Sequence, residues 1–246
     1  PMLDYIPVSQ DLHFRIDPGH SFDIFKRVMA EVSAKFSVHG EITSPFDYFL
    51  DYFGYQEGLM ALIENPEKSK QVLVHFTALL KMLALEMCET GIDAIKLSSP
   101  FAGAGFISPE FYAEFVLPFE REIVQLVRKK NVHIYLHTCG AIADRLSLML
   151  ASGASGLECL DPPPLGNVEL EEAAKMMRGK AFIKGNIDSV NLLLFGTVQE
   201  IMADAKRRLD IGKGSGGYIL STACSIAPRV LQEKVLLLRE AVGRWG

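Results

Sequence analysis

The chain has 246 residues, 49% of them hydrophobic and 22% charged, the make-up of a globular domain with enough apolar material for a full core. Its formal net charge is −5 and it carries no basic block or Arg-rich stripe, which argues against nucleic acid as a partner. No apolar run approaches the ~18 residues of a membrane span, and no basic segment followed by an apolar one marks a secretory signal, so the expectation is a cytoplasmic protein with no membrane partner.

The chain begins at Pro1, and a natural start upstream is expected. Residues 1–20 hold at most one weak strand, in Tyr5-Ile6-Pro7-Val8 or His13-Phe14-Arg15. From Phe22, the apolar positions Phe25, Val28, Met29, Val32 and Phe36 recur at helical spacing. A strand follows at residues 37–42, and Asn65-Pro66 then places a capping residue before a proline at the first helical position. Residues 93–98 read as a second strand, and Ser108-Pro109 repeats the helix-start signal. Further strands are expected at 133–138, 156–161, 181–186 and 217–222, each short and bounded by Gly, Pro, Ser or Asn. Thr197-Val198-Gln199-Glu200 has the form of a capping box, and Ala227-Pro228 is expected to open the C-terminal helix.

Strand and helix alternating in this way predict an α/β fold with a parallel sheet, and no linker divides residues 1–246 into more than one domain. The length suits a TIM-type (β/α)8 barrel, but only six strands are convincing. Either the barrel lacks its first one or two βα units in this chain, or the sheet is open. Open edges are normally covered or paired, so a partner chain, a covering N-terminal segment or poor solution behaviour is expected, and a homo-oligomer is left open.

The chemistry concentrates in His137-Thr138-Cys139-Gly140, at the end of the strand expected over residues 133–138. Side chains alternate along a strand, so His137 and Cys139 share a face, and imidazole and thiolate are both good zinc donors. Against that stands the plainer reading, a polar strand end with a buried thiol. Cys224, at the end of the last strand, favours metal, because the C-terminal ends of barrel strands are where chemistry sits. Three protein ligands with one open position is the form of a catalytic zinc. Cys159 is a weaker candidate for a fourth ligand, since it falls mid-strand, and Cys88 sits in a helical pattern that places it in the core. Four cysteines in a chain this long are read as reduced thiols or metal ligands rather than a disulfide scaffold.

Supporting candidates are Glu41, which would contact the metal's ligands or the substrate, and Lys184 and Asp188, which share a strand face with Asn186. Lys96 and Ser98 share another face and are weaker. His39 and His133 read as satisfied structural histidines, and Phe101, Phe106 and Tyr112 as loop packing. Asp161, in Asp161-Pro162-Pro163-Pro164, is first a rigid turn, although it is well placed to meet a ligand.

Ser44-Pro45-Phe46, His137-Thr138-Cys139-Gly140, Lys184-Gly185-Asn186-Ile187-Asp188 and Cys224-Ser225-Ile226-Ala227-Pro228 together resemble the uroporphyrinogen decarboxylase superfamily, in order and spacing, from about Phe22 to the C-terminus. Asp93-Ala94-Ile95 and Ser108-Pro109-Glu110-Phe111-Tyr112 with Pro118 add to the resemblance. It implies a TIM-type barrel with its site at the strand C-termini. The decarboxylase branch of that superfamily carries a histidine in the motif matching Ala223-Cys224-Ser225 and N-terminal arginines that are absent here. His137, Cys139 and Cys224 instead resemble the zinc ligands of its cobamide-dependent methyltransferases. The implied function is a zinc-dependent transfer of a methyl group between a small molecule, a thiol or an O- or N-methyl donor, and the cobalt of a corrinoid (cobalamin) carried by a partner protein. The alternatives are a decarboxylase-type lyase that needs no metal, and a divergent barrel with no catalytic role.

Overall fold

The structure is a computed structural model that describes residues 22–246. The weak strand expected in Tyr5-Ile6-Pro7-Val8 or His13-Phe14-Arg15 lies outside the described residues. Among those described are six strands, β1 to β6, whose order in the sheet is their order in the chain. The chain divides into two compact units, Pro1–Ala102 with Glu110–Tyr135, and Gly103–Pro109 with Leu136–Gly246.

The first unit contains α1 (Asp23–Val32), β1 (His39–Thr43), α2 (Pro45–Phe53), α3 (Tyr55–Glu64), α4 (Pro66–Cys88), β2 (Ala94–Ser98), most of α5 (Pro109–Phe115), α6 (Leu117–Lys129) and the start of β3 (His133–Thr138). β1 and β2 are parallel, with Glu41 opposite Lys96. Helix α4 buries Val72, Leu73, Phe76, Leu80, Ala84 and Met87, residues at helical spacing, against α2, α3, α6 and β1. By length and composition alone it would suffice to cross a membrane. Its charged residues interrupt the apolar ones, so the sequence shows no continuous run, and the buried stripe is that of a core helix.

The Ser44-Pro45-Phe46 segment has a structural role in this unit. Ser44 caps α2, its Oγ accepting from the Asp47 N–H at 3.1 Å and donating to Asp47 Oδ2 at 2.6 Å, while Pro45 stands in the first turn. Asp47 Oδ1 also accepts from the Phe101 N–H, at 3.3 Å. Burial outweighs these hydrogen bonds, and with Glu120 and Asp51 nearby it pushes the Asp47 carboxyl up to about 7. Glu120 is wholly buried, takes hydrogen bonds from Ser99 Oγ at 2.5 Å and the Tyr112 O–H at 2.7 Å, and is likewise raised by burial.

The second unit holds the end of β3, α7 (Leu146–Ala151), β4 (Gly156–Cys159), α8 (Leu170–Met177), β5 (Phe182–Ile187), α9 (Val198–Gly212), β6 (Tyr218–Thr222) and α10 (Gln232–Trp245). β4, β5 and β6 are parallel neighbours, with Glu158 opposite Lys184 and Cys159 opposite Gly185. Ile187, Ala205, Leu209 and Ala241 form a core between β5, α9 and α10. The expected capping box starts α9: Glu200 Oε2 accepts from the Thr197 N–H at 2.7 Å, and Thr197 Oγ1 accepts from the Glu200 N–H at 3.3 Å.

Two boundaries differ from expectation. β4 ends at Cys159 and not at 161, because Cys159 and Leu160 adopt positive φ, 83° and 53°, which an extended strand cannot contain. The C-terminal helix begins at Gln232 and not at Pro228. The Ala227 carbonyl closes a single turn on the Val230 N–H, and Leu231 is extended, with φ −66° and ψ 138°.

Candidate metal centre

Four potential ligands converge within the second unit. His137 lies on β3 and Cys139 follows it one residue past the strand end. Cys159 is the last residue of β4, and Cys224 lies two residues beyond β6. Their ligand atoms all lie within 4.8 Å of one another. His137 Nε2 is 3.2 Å from Cys139 Sγ, which is 3.5 Å from Cys224 Sγ. Around a tetrahedral zinc with bonds of about 2.0–2.3 Å, such donors stand about 3.5–3.8 Å apart. The His137–Cys139 and Cys139–Cys224 separations are close to this spacing, and an imidazole with several thiols is a donor set that suits zinc. The expected trio of His137, Cys139 and Cys224 is therefore brought together, and Cys159 stands beside it.

The functional residue that sequence reasoning missed is Glu158. Its Oε2 accepts from His137 Nδ1 at 2.9 Å, and its Oε1 pairs with Lys184 Nζ at 2.5 Å. Holding Nδ1 in this way leaves Nε2 facing the thiols, the arrangement in which a carboxylate orients a metal-binding histidine. Burial raises the Glu158 carboxyl, but the hydrogen bonds to His137 and Lys184 overcome it and hold it down at about 2. A carboxylate on an otherwise buried strand signals a buried partner, and that signal was present in Gly156-Leu157-Glu158-Cys159.

The cluster favours an imidazolium at His137 and a thiolate at Cys224. Burial opposes an imidazolium at His137, yet contacts with Cys139, Cys224 and Glu158 raise it to about 11. Among the thiols, hydrogen bonds from Cys139, Cys159 and His137 depress Cys224, whereas contacts with Cys139 and Cys224, and then burial, keep the Cys159 thiol protonated. Cys139 and Cys224 are half-buried, and Cys159 has no exposure.

Cys159 reaches the cluster through its backbone. Successive residues of a regular strand point to opposite faces, so the positive φ at Cys159 turns its side chain out of that alternation. Gly185, its neighbour on β5, has φ 150°, and a Cβ there would stand 2.7 Å from the Cys159 carbonyl oxygen. Asn186 Nδ2 donates to the Leu160 carbonyl at 2.8 Å, and Arg208 donates to Asn186 Oδ1. The Lys184-Gly185-Asn186 segment thus braces the end of β4 from the neighbouring strand. Asp161 Oδ2 accepts from the Gly140 N–H at 2.7 Å and from Cys159 Sγ at 3.2 Å, while its Oδ1 is buried with no hydrogen-bond partner.

The remaining candidates have other surroundings. Asp188 Oδ1 accepts from the Val190 and Asn191 N–H groups at 2.9 and 2.7 Å, and its Oδ2 accepts from Asn191 Nδ2 at 2.9 Å, so both oxygens are engaged in a turn. Glu41 belongs to the first unit, where its Oε2 pairs with Lys96 Nζ at 2.8 Å. His39 bonds Tyr135 Oη and Ser37 Oγ, as a satisfied histidine should. Cys88 is buried at the end of α4.

Comparison with known proteins gives the chemistry a context. The family model described as uroporphyrinogen decarboxylase (URO-D) matches residues 6–245. The chain is 33% identical over 143 residues to the methylcobamide:CoM methyltransferase MtbA of Methanosarcina acetivorans, covering 58% of this chain and 39% of that protein. It is 26% identical over 236 residues to the methylcobamide:CoM methyltransferase MtaA of Methanosarcina barkeri, covering 96% and 66%. A solved methyltransferase from Methanosarcina mazei superposes with a TM-score of 0.80 at 25% identity, over 91% of this chain and 63% of that one. The chain thus spans between about two fifths and two thirds of the length of these relatives.

Proposed function

Because the chain belongs to the uroporphyrinogen decarboxylase family, matched over residues 6–245, and carries a convergent His137, Cys139 and Cys224, we propose that it is a zinc-dependent, corrinoid-linked methyltransferase. The observation that carries this reading is the meeting of one imidazole and several thiols from β3, β4 and the end of β6, with His137 oriented by Glu158. Relatives named as methylcobamide:CoM methyltransferases support the same branch of the family.

In this reading His137, Cys139 and Cys224 hold the metal. Bound zinc would supply a Lewis acid that keeps a substrate thiol ionised at neutral pH. Glu158 fixes the His137 ring, and Lys184 holds the second oxygen of Glu158, so the imidazole is oriented before a ligand arrives. Cys139 and Cys224 form the half-exposed side, open to a small molecule and to the methyl-carrying cobalt of a docked corrinoid protein. A metal-free decarboxylase has no use for several thiols at this point.

The test is to mix zinc-loaded protein with methylcobalamin, or a methylated corrinoid protein, and a panel of thiols, and to follow demethylation by absorbance. The reverse direction uses cob(I)alamin with methyl donors. Cobalamin demethylation that is lost in Cys224→Ser is expected. No methyl transfer in either direction, together with loss of carboxylates from uroporphyrinogen, would establish the lyase instead.

A further inference from the structure

We propose that Cys139 and Cys224 are an oxidation site for peroxides, closing a disulfide that releases the metal and reopening on reduction. The inference rests on the zinc reading above and adds a reversible inactivation of the same centre.

Three observations carry it. First, the two sulfurs are close: Cys139 Sγ stands 3.5 Å from Cys224 Sγ, so reaching the bond length of about 2.0 Å takes an approach of about 1.5 Å. Second, the backbone permits that approach. Cys139 lies one residue past the end of β3 and Cys224 two residues past the end of β6, so both belong to connecting segments and the strands need not shift. The turn after Cys139 has room as well, since a Cβ at Gly140 would meet nothing within 4 Å. Third, exposure separates this pair from the other thiols. Cys139 and Cys224 are half-buried and within reach of a molecule as small as hydrogen peroxide, whereas Cys159 has no exposure and donates its S–H to Asp161 Oδ2 at 3.2 Å. Cys88 is buried on α4, in the other unit.

The reaction balances. One thiolate attacks an oxygen of hydrogen peroxide, the O–O bond breaks and hydroxide leaves, giving a sulfenic acid. The second thiolate attacks that sulfur, the S–O bond breaks and a second hydroxide leaves. Together the sulfurs lose two electrons, and the peroxide gains them. Disulfide sulfurs carry no charge and hold zinc poorly, so His137 and Cys159 remain as donors, too few for a tetrahedral protein site. A thiol reductant returns both thiolates through a mixed disulfide, after which the site can be reloaded. Pairing also spares each sulfur the irreversible steps to sulfinic and sulfonic acid that a lone exposed cysteine would take.

Hydrogen peroxide titrated into the zinc-loaded full chain is the test, with a chromophoric chelator reading released zinc and non-reducing peptide mass spectrometry locating the bond. One zinc should leave for each Cys139–Cys224 disulfide formed, and dithiothreitol with added zinc should restore the full equivalent. Cys159→Ser should form the same bond, and Cys139→Ser should instead accumulate sulfinic acid on Cys224. In the wild type, thiols and zinc left intact at peroxide levels that oxidise free cysteine, a crosslink through Cys159, or sulfinic acid without a crosslink would overturn the proposal and leave the zinc centre standing. If zinc never binds, the zinc reading fails, and mapping the same bond in the metal-free chain still upholds or overturns the oxidation site. The wild-type peptide map decides the matter even where a variant does not fold.

Discussion

Replacing Glu158 with glutamine tests whether the cluster is a tuned metal site. In Glu158→Gln the new amide oxygen can still accept from His137 Nδ1, now 2.9 Å from the carboxylate, but the negative charge that raises the basicity of Nε2 is gone. The new amide nitrogen would face Lys184 Nζ, which stands 2.5 Å from Oε1 in the native site, and two donors would then oppose each other. Carboxylates that orient ligating histidines typically account for about 10–100-fold in metal affinity. At about 1.4 kcal/mol per tenfold, Glu158→Gln should weaken zinc binding by about 1.4–2.8 kcal/mol. Competition against a chromophoric chelator measures the affinity, with circular dichroism to verify that the fold persists. A folded Glu158→Gln protein that binds zinc within about twofold of wild type would refute the role assigned to this carboxylate.

Asp47→Asn should change how stability depends on pH. The folded carboxyl keeps its proton up to about 7 and the unfolded one only to 3.8, so the stability contributed by the neutral group is full below pH 4 and is lost as pH rises toward 7. The difference of about 3 units amounts to roughly 4 kcal/mol at most. The amide of the variant stays neutral throughout, so the melting temperature of Asp47→Asn relative to wild type should rise between pH 4 and pH 8; a constant difference across that range would contradict the burial argument. Gly185→Ala places a Cβ 2.7 Å from the Cys159 carbonyl at a φ that disfavours side chains, and should cost more than about 1 kcal/mol while weakening zinc binding. For a chain of this size that is a fall of at least about 2–4 °C in melting temperature, and an unchanged melting temperature and zinc affinity would show that β4 can move aside.

The alternation of strands and helices was legible because each strand is a short apolar run between turn residues, and because helix starts carry explicit signals such as Thr197 and Glu200. His137, Cys139 and Cys224 were legible as ligand types at strand ends. Cys159 reads as mid-strand because nothing in its side chain announces a positive φ; only the structure shows the turn that makes it a strand end. Glu158 is masked in the sequence by the more conspicuous sulfur beside it, although a carboxylate between Leu157 and Cys159 needs a buried partner. Asp188 stands out as a strand-end carboxylate, and the same position lets it cap a turn through Val190 and Asn191. The hydrogen bonds of Asp47 and Glu120 join residues distant in sequence, and no local pattern records them.

The central claim is that His137, Cys139 and Cys224 hold a catalytic zinc, and the zinc content of the protein tests it most directly. The measurement is elemental analysis after zinc loading and gel filtration, with Cys224→Ser carried in parallel. About one zinc per wild-type chain is predicted, with a clear loss in a folded Cys224→Ser variant. Wild-type protein that emerges without zinc, or a Cys224→Ser variant that retains a full equivalent, would contradict the account.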